Sequence, residues 1–97
     1  MHKEADIDFQ TEGNSIVYKS ADGVVLARAD FSEAAPGVYD IFHTEVDASL
    51  QGQGIAGKLV ATAVAEIERR GGKLLKDASC SYAAAWLKRH AEKGVTQ

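Results

Sequence analysis

The sequence predicts an α/β protein of the α+β type, with a mixed sheet and elements in the order ββββαβα. In the first half, apolar and polar residues alternate in runs separated by Asp22-Gly23 and Pro36-Gly37. This pattern is typical of antiparallel strands joined by tight turns. From Gly54 onward, apolar residues recur at the period of a helix that buries one face. The change of period divides the chain into an antiparallel meander and a strand–helix–strand–helix unit.

The meander is predicted to contain four strands. Each run carries β-branched or aromatic residues, which favour a pleated and half-buried backbone. Turn residues follow each run, as in Glu12-Gly13-Asn14 and in the segment Ser32–Gly37. The predicted strands are Ile7–Thr11, Ser15–Ser20, Val24–Phe31 and Val38–Val46.

The second half is predicted to contain two helices and one short strand. The first helix spans Gly54–Arg70, and Gly71-Gly72 ends it. Lys73–Lys76 then forms a strand parallel to the fourth, because a strand–helix–strand connection is a right-handed crossover. A serine within Ser79–Ser81 caps the second helix, which ends near Lys93.

Length, charge and cysteine content limit the classes of function. The 97 residues are enough for one domain, expected to span 1–97 with its core at about 7–93. A net charge of −3 argues against nucleic acid as the main partner. The single cysteine, Cys80, excludes an intramolecular disulfide, and the chain shows neither a signal peptide nor the ~18-residue apolar run of a membrane helix. We therefore expect a cytoplasmic monomer or weak dimer with no membrane partner.

Glycines are concentrated between the fourth strand and the first helix, where backbone N–H groups at a helix start suit a phosphate. The pattern Gly52-x-Gly54-x-x-Gly57 matches a dinucleotide-binding fingerprint. That fingerprint lies in the first strand–helix unit of its fold, whereas four antiparallel strands precede it here. The same stretch matches the start of a Walker A loop, but Leu59 stands where magnesium binding needs Ser or Thr. A tight turn without a ligand is the structural alternative.

The stretch Val46–Ala56 resembles the acyl-CoA-binding motif of the GNAT acetyltransferase superfamily, Q/R-x-x-G-x-G/A. Gln51, Gly54 and Ala56 fill its defining positions. The order of elements, and the sequence HTEV followed by QGQGIAGKLV, are similar to those of small single-domain members over roughly Ile7–Glu92. The resemblance implies a GNAT-like fold, with acetyl-CoA or CoA as the co-substrate.

The resemblance also implies where this ligand lies. The free edge of the fourth strand near Glu45 and Val46 would pair with pantetheine, the turn would bind the pyrophosphate, and Lys58 would add a positive charge. No metal is implied, because the histidines lack partners at the spacing of metal ligands. The predicted cofactor-binding residues are Val46, Gln51, Gly52, Gln53, Gly54, Ile55, Ala56, Gly57 and Lys58.

Three residues are candidates for catalysis. Cys80 lies at the predicted start of the second helix, a position that lowers a thiol pKa. The resemblance implies a cysteine near the CoA thioester that accepts the acetyl group, with simple packing as the alternative. His43 and Glu45, expected on one strand face with Ile41, are candidate general bases toward an amine or the Cys80 thiol, with structural roles as the alternative.

Two functions are compatible with these residues. The leading hypothesis is an acetyl-CoA-dependent N-acetyltransferase that acts on a primary amine, either a small molecule or a protein lysine or N-terminus, through an acetyl-cysteine or directly. The competing hypothesis is a CoA- or acyl-CoA-binding module without efficient transfer. Only Glu12-Gly13-Asn14 separates the first two strands, where larger members have helices, so we expect an open acceptor side. The aromatic stripe in the second helix is predicted to pack against the sheet: Tyr82, Trp86 and His90.

Overall fold

The computed structural model describes residues 9–75 and 77–91, without the side chains of residues 90 and 91. Within these residues the chain forms strands, two α-helices and one short 3-10 helix. In chain order they are β1 (Gln10–Glu12), β2 (Ser15–Lys19), β3 (Val25–Ala35), β4 (Val38–Val46), the 3-10 helix (Ala48–Leu50), α1 (Ile55–Arg69), β5 (Lys73–Leu74) and α2 (Ser81–Ala91).

The strands form one sheet in the order β1-β2-β3-β4-β5. Neighbours among the first four are antiparallel, and β5 runs parallel to β4. This arrangement confirms the predicted α+β class, with its antiparallel meander and its parallel crossover. The predicted strand start at Ile7, the predicted strand residue Lys76 and the predicted helix end near Lys93 lie outside the described residues.

One predicted turn is largely a strand. The polar and small residues of Ser32–Gly37 are typical of a turn, but β3 continues to Ala35, which lies opposite Val38 of β4. The turn is confined to Pro36 and Gly37, and Gly37 has a φ of 76°. Pairing with a long neighbouring strand therefore overrides the local composition of this segment.

The hydrophobic core lies between α1 and one face of the sheet. The apolar stripe predicted for the first helix is buried, with Ile55, Leu59, Ala63 and Ile67. It packs against buried side chains of β2, β3 and β4, among them Ile16, Ala29, Phe31 and Ile41. This packing leaves the opposite face of the sheet without a helix among the described elements.

A β-bulge at Phe42 changes which face the end of β4 presents to the core. Asp30 lies opposite His43, but Phe31 lies opposite Ile41, so Phe42 is an extra residue and its side chain is 48% exposed. Ile41 consequently faces the core, whereas His43 faces away from it. The expectation that Ile41 shares a face with His43 and Glu45 is wrong, because a strict period of two does not continue through a bulge.

β4 is no longer paired on the side of β5 beyond Ile41. Val38 and Tyr39 pair with β5, and Leu75 N–H continues the ladder to Tyr39 O at 2.7 Å. The chain then leaves the sheet and returns at Cys80, whose N–H donates to Ile41 O at 3.1 Å. Among residues 9–75 and 77–91, the segment of β4 after Ile41 is thus paired to β3 on one side and has an open edge on the other.

Arg70 connects the end of α1 to the β1–β2 turn by hydrogen bonds. Its guanidinium donates to Gly13 O at 2.6 Å and Asn14 Oδ1 at 2.7 Å, both in the β1–β2 turn. It also lies over the Phe31 ring, with 5.1 Å from Cζ to the ring centroid.

Glu66 accepts hydrogen bonds from Arg70 and from Arg69. Together, Arg69 and Arg70 lower the pKa of Glu66 from its ordinary value of 4.5 to about 2.

We expect Glu66→Gln to reduce the acid sensitivity of the fold. Because the folded-state pKa is lowered, the stabilisation by the Glu66 carboxylate is fully present above pH 4.5 and is lost as the pH falls through about 2. The variant should therefore be less stable than the parent near neutrality, and this difference should shrink as the pH falls. Melting temperatures measured across this range test it. Glu68→Gln is the control on the same helix, and an equal pH response in both variants would contradict the prediction.

Candidate active site

The link between β4 and α1 is a tight turn with two left-handed glycines. Asp47 begins it, and its carboxylate accepts hydrogen bonds from Ser49 N–H at 2.9 Å and from the Ser49 hydroxyl at 2.6 Å. Gly52 has a φ of 85°, and Gly54, the N-cap of α1, has a φ of 73°. Residues with a Cβ rarely adopt these angles, so glycine at both positions permits the turn that leads from the 3-10 helix into α1.

The start of α1 has backbone N–H groups that are not bonded within the helix. The first bond within the helix runs from Lys58 N–H to Gly54 O, at 3.2 Å. The N–H groups of residues 55–57 therefore have no acceptor within the helix, and Gly54 provides no side-chain cap. They lie at the positive end of the helix dipole, an arrangement that suits an anion such as a phosphate.

A cleft of about 280 Å³ joins this turn to the end of β4 and to α2. Its lining includes several of the predicted cofactor-binding residues, namely Val46, Gln51, Gly52, Gly54, Ile55 and Ala56. Leu50 and Tyr82 complete the lining and were not predicted as ligand contacts. Gln53, Gly57 and Lys58 are outside this lining.

Gly57 has a different role from the other glycines of the motif, because it faces the second helix. A Cβ at this position would lie 3.3 Å from the Tyr82 hydroxyl and 3.7 Å from Trp86 Nε1. The absence of a side chain therefore lets α2 approach α1 closely. Tyr82 is 37% exposed and lines the cleft, in addition to contacting α1, while Trp86 packs against the core. The side chain of His90, the third residue of the predicted stripe, lies outside the described residues.

The open edge of β4 ends in this cleft. Asp47 N–H donates to Leu26 O, so the backbone of Asp47 faces β3. Because backbone groups alternate in direction along a strand, those of Glu45 and His43 also face β3. The backbone groups of Thr44 and Val46 therefore point toward the open edge. The Gln51 side chain covers one of them, because its Nε2 donates to Val46 O at 3.3 Å.

Cys80 lies on the same edge, next to Thr44. The Asp40 carboxylate fixes the preceding residue, since it accepts from Ser79 N–H at 2.8 Å and from the Ser79 hydroxyl at 2.7 Å. Cys80 Sγ lies 3.4 Å from Thr44 Oγ1. The carbonyl of Cys80 accepts from Ala84 N–H, so Cys80 is the cap of α2 in place of the predicted serine.

The surroundings of the Cys80 sulfur favour its thiolate. Burial alone would raise the pKa of Cys80, but hydrogen bonds to the sulfur from the Thr44 hydroxyl and from the N–H groups of Ala83, Tyr82 and Thr44 outweigh it. The net effect is a pKa below the ordinary value for a cysteine. The thiol is half-buried, so it combines partial shielding with access from the edge.

His43 and Glu45 lie on the opposite face of β4 from the Thr44 side chain. They contact each other, with 3.3 Å from His43 Nε2 to Glu45 Oε1. Their cross-strand partners are Asp30 and Arg28, which form an ion pair with Arg28 Nη2 at 3.0 Å from Asp30 Oδ1. The structure therefore does not bring either candidate base to the Cys80 sulfur.

The described part of the chain has neither a cluster of metal ligands nor a helix that could cross a membrane. It contains no group of three or more His, Cys, Asp or Glu side chains arranged to hold a metal ion. Neither α1 nor α2 is long and apolar enough to cross a membrane.

Comparison with known proteins identifies the family. A family model described as GCN5-related N-acetyl-transferase matches residues 4–95. The chain belongs to this family. Acetyl transfer is the chemistry of the GNAT family, and acetyl-CoA is the donor that its members generally use. No curated protein matches the chain significantly.

One solved structure supports the fold of this GNAT protein. The solution NMR structure of a GCN5-like protein from Staphylococcus aureus, named as a candidate N-acetyltransferase, aligns with 93% of this chain and 86% of its own. The TM-score is 0.70 at 23% identity, which supports the fold alone. The crystal structure of nourseothricin acetyltransferase aligns with 62% of this chain and 37% of its own, at 21% identity. Its TM-score of 0.49 is too low to support an argument.

We expect Asp40→Ala to release the segment that carries Cys80. The carboxylate accepts from two donors of Ser79, and each such exposed hydrogen bond contributes about 0.5–1.5 kcal/mol to stability. The variant should melt at a lower temperature, and its thiol should react faster with a neutral alkylating reagent under native conditions because it is less shielded. Asp77→Ala, an exposed aspartate in the same segment, is the matched control. Equal reactivity in the two variants would show that Asp40 does not hold the segment.

Proposed function

We propose that this GNAT protein is an acetyl-CoA-dependent N-acetyltransferase that acts on a primary amine, and that the acetyl group passes through Cys80. One observation carries the proposal: the anion-binding turn and the cysteine lie along the same open edge of β4. Thr44, beside the sulfur, and Val46, beside the cleft, are two residues apart, which is about 7 Å along a strand. A ligand with phosphates at one end, a thioester at the other and amides between them complements this arrangement of groups.

The residues present fit such a ligand. The N–H groups at the start of α1 would bind the pyrophosphate, and the lack of side chains at Gly52 and Gly54 permits close approach. Backbone groups of Thr44 and Val46 would pair with the pantetheine amides as an added strand does. Gln51 would then release Val46 O, because its side chain occupies that carbonyl in the free protein.

The proposed chemistry has two steps. In the first, the Cys80 thiolate attacks the acetyl carbonyl carbon of acetyl-CoA, a new carbon–sulfur bond forms, and CoA leaves as its thiolate. In the second, a neutral amine attacks the acetyl-cysteine, the Cys80 thiolate leaves, and the nitrogen loses one proton. The lowered pKa of Cys80 serves both steps, because the thiolate is the nucleophile in the first and the leaving group in the second.

His43 and Glu45 fit the second step better than the first. They lie on the face of β4 that no described helix covers, and both are exposed. In our proposal one of them takes the proton of the incoming amine, and neither deprotonates Cys80. The β1–β2 connection is only a tight turn, with Glu12 opposite Ser15, and the exposed side chains of His43 and Glu45 are accessible to a small amine, an exposed lysine or a protein N-terminus.

A CoA-binding module without efficient transfer is the second candidate. The observation that favours it is the position of the candidate bases, which contact each other on the face of β4 away from Cys80. The groups that lower the pKa of Cys80 are the Thr44 hydroxyl and backbone N–H groups, all of which stabilise a thiolate and none of which is a base. Such a site binds the cofactor and turns over slowly.

We expect CoA to stabilise the parent chain and Gly54→Ala to abolish that stabilisation. An alanine at this positive φ costs about 1–2 kcal/mol and displaces the N–H groups that hold the phosphates. At 100 times its Kd a ligand contributes about 2.7 kcal/mol to the stability of the folded state. Gly37→Ala is the matched control, since Gly37 also has a positive φ, 76°, but lies in the β3–β4 turn at the opposite end of β4. This control variant should lose as much stability as Gly54→Ala but should still melt at a higher temperature when CoA is added. If millimolar CoA does not raise the melting temperature of the parent chain, cofactor binding is refuted.

We expect acetyl-CoA to add one acetyl group to the protein at Cys80, detectable by mass spectrometry of the intact chain and its peptides. Cys80→Ala should lose the adduct and the transfer to an added amine while still being stabilised by CoA. Transfer that persists in this variant would indicate direct attack by the amine. Binding without adduct or transfer in the parent chain would instead establish the binding module. A screen of amines and lysine peptides for release of free CoA thiol would then identify the acceptor.

A further inference from the structure

Thr44 is the residue of β4 whose side chain meets the Cys80 sulfur. Its backbone neighbour on β3 is Ala29, which is fully buried, so the Thr44 side chain lies on the core side of the sheet and is half-buried. As a β-branched residue in a paired strand it has restricted χ1 rotation. Its hydroxyl, 3.4 Å from Cys80 Sγ, is therefore held in place by the strand.

The direction of this hydrogen bond depends on the protonation state of the cysteine. A thiolate can only accept, so the Thr44 hydroxyl must donate to it. The other groups that lower the pKa of Cys80 are the backbone N–H groups of Thr44 itself, Tyr82 and Ala83, and side-chain substitutions other than proline keep them. The Thr44 hydroxyl is thus the side-chain donor by which the sequence sets the reactivity of Cys80.

We propose that Thr44 is a positioning residue that holds the Cys80 sulfur at the open edge of β4 and stabilises its thiolate. Its contribution to acetyl transfer rests on the proposed function, whereas its effect on the thiol does not. The hydroxyl helps in both steps. It increases the fraction of nucleophile present before the acetyl group arrives. It also stabilises the departing thiolate when the amine attacks, because a thioester sulfur accepts hydrogen bonds more weakly than a thiolate.

The groups that shift the pKa of Cys80 do not include a charged side chain of the neighbouring elements. Asp40 of β4 accepts both hydrogen bonds of Ser79. His43 and Glu45 contact each other on the opposite face of the strand. On the helices, Lys58 lies one turn into α1, and Lys88 and Arg89 are exposed on α2 beyond its first turn. The stabilisation of the thiolate therefore comes from neutral donors, and we expect it to depend weakly on salt.

The test compares Thr44→Val with Thr44→Ser and with a control, Thr62→Val. Valine keeps the shape and strand preference of threonine and removes the hydroxyl, and serine restores the hydroxyl. The hydroxyl of Thr62, like that of Thr44, makes a hydrogen bond. Its acceptor is the backbone carbonyl of Lys58 in α1, at 2.7 Å, and not the Cys80 sulfur. The readout is the rate of Cys80 alkylation by iodoacetamide as a function of pH, followed by mass spectrometry without acetyl-CoA.

We expect alkylation of Thr44→Val at neutral pH to be about tenfold slower than in the parent, since a hydrogen bond to a charged group is lost. The midpoint of its pH profile should be higher, and Thr44→Ser and Thr62→Val should match the parent. An unchanged profile in Thr44→Val, or one changed equally in Thr44→Ser, would overturn the proposal.

A second measurement uses the unsubstituted chain and does not depend on whether a variant folds. In a ¹³C NMR titration, the Thr44 side-chain resonances should shift with the same pH midpoint as Cys80 Cβ. Thr44 resonances that do not follow the Cys80 titration would also overturn the proposal. Acetylation is measured separately on the same samples. A parent chain that takes up no acetyl group but shows a Thr44-dependent thiol would refute the proposed function and leave the role of Thr44 intact.

Discussion

Backbone hydrogen bonding along β4 changes at Ile41. Up to that residue the strand has partners on both sides, and after it the side toward β5 is open. The bulge at Phe42 lies at the same point and reverses the direction of the side chains that follow. The positions of Cys80, of the glycine turn and of the cleft all follow from this change, because each lies against the part of β4 that β5 does not cover.

The candidate site offers backbone dipoles to a negatively charged ligand and has few positive side chains. The chain has a net charge of −3, yet its proposed ligand carries phosphates. The groups available to the phosphates are backbone N–H groups at the start of α1, and those around the sulfur are N–H groups and one hydroxyl. Fixed dipoles of this kind need no reorganisation when the charge arrives. The glycines are therefore needed for the backbone conformation that aims these dipoles.

Much of this arrangement could be predicted from the sequence, because it depends on local signals. The helix period, the turn residues and the glycine spacing correctly indicated the class of fold, the crossover and the turn beside the cleft. The bulge at Phe42 could not be predicted, since it arises from pairing between β3 and β4 and leaves no mark in composition. Without it, His43 and Glu45 were expected on the face of Ile41.

Thr44 and Tyr82 were missed for a related reason. A threonine within a strand and a tyrosine within an amphipathic helix both look like ordinary packing residues. Their positions become informative only when the chain between β5 and α2 is seen to return to β4 at Cys80. The spacing along the sequence between Thr44 and Cys80 contains no periodic signal for that contact.

The open edge of β4 has a further consequence for how the protein behaves in a crowded solution. Unpaired strand edges are templates on which a second chain can add a strand, and proteins avoid this by keeping such edges short or covered. Here Cys80 lies against Thr44, with Sγ 3.4 Å from Thr44 Oγ1, and the Gln51 amide covers the carbonyl of Val46. Both covers are single side chains that a ligand can displace, whereas a foreign strand would need several consecutive free residues. The edge is thereby accessible to a small extended molecule and protected against growth of the sheet.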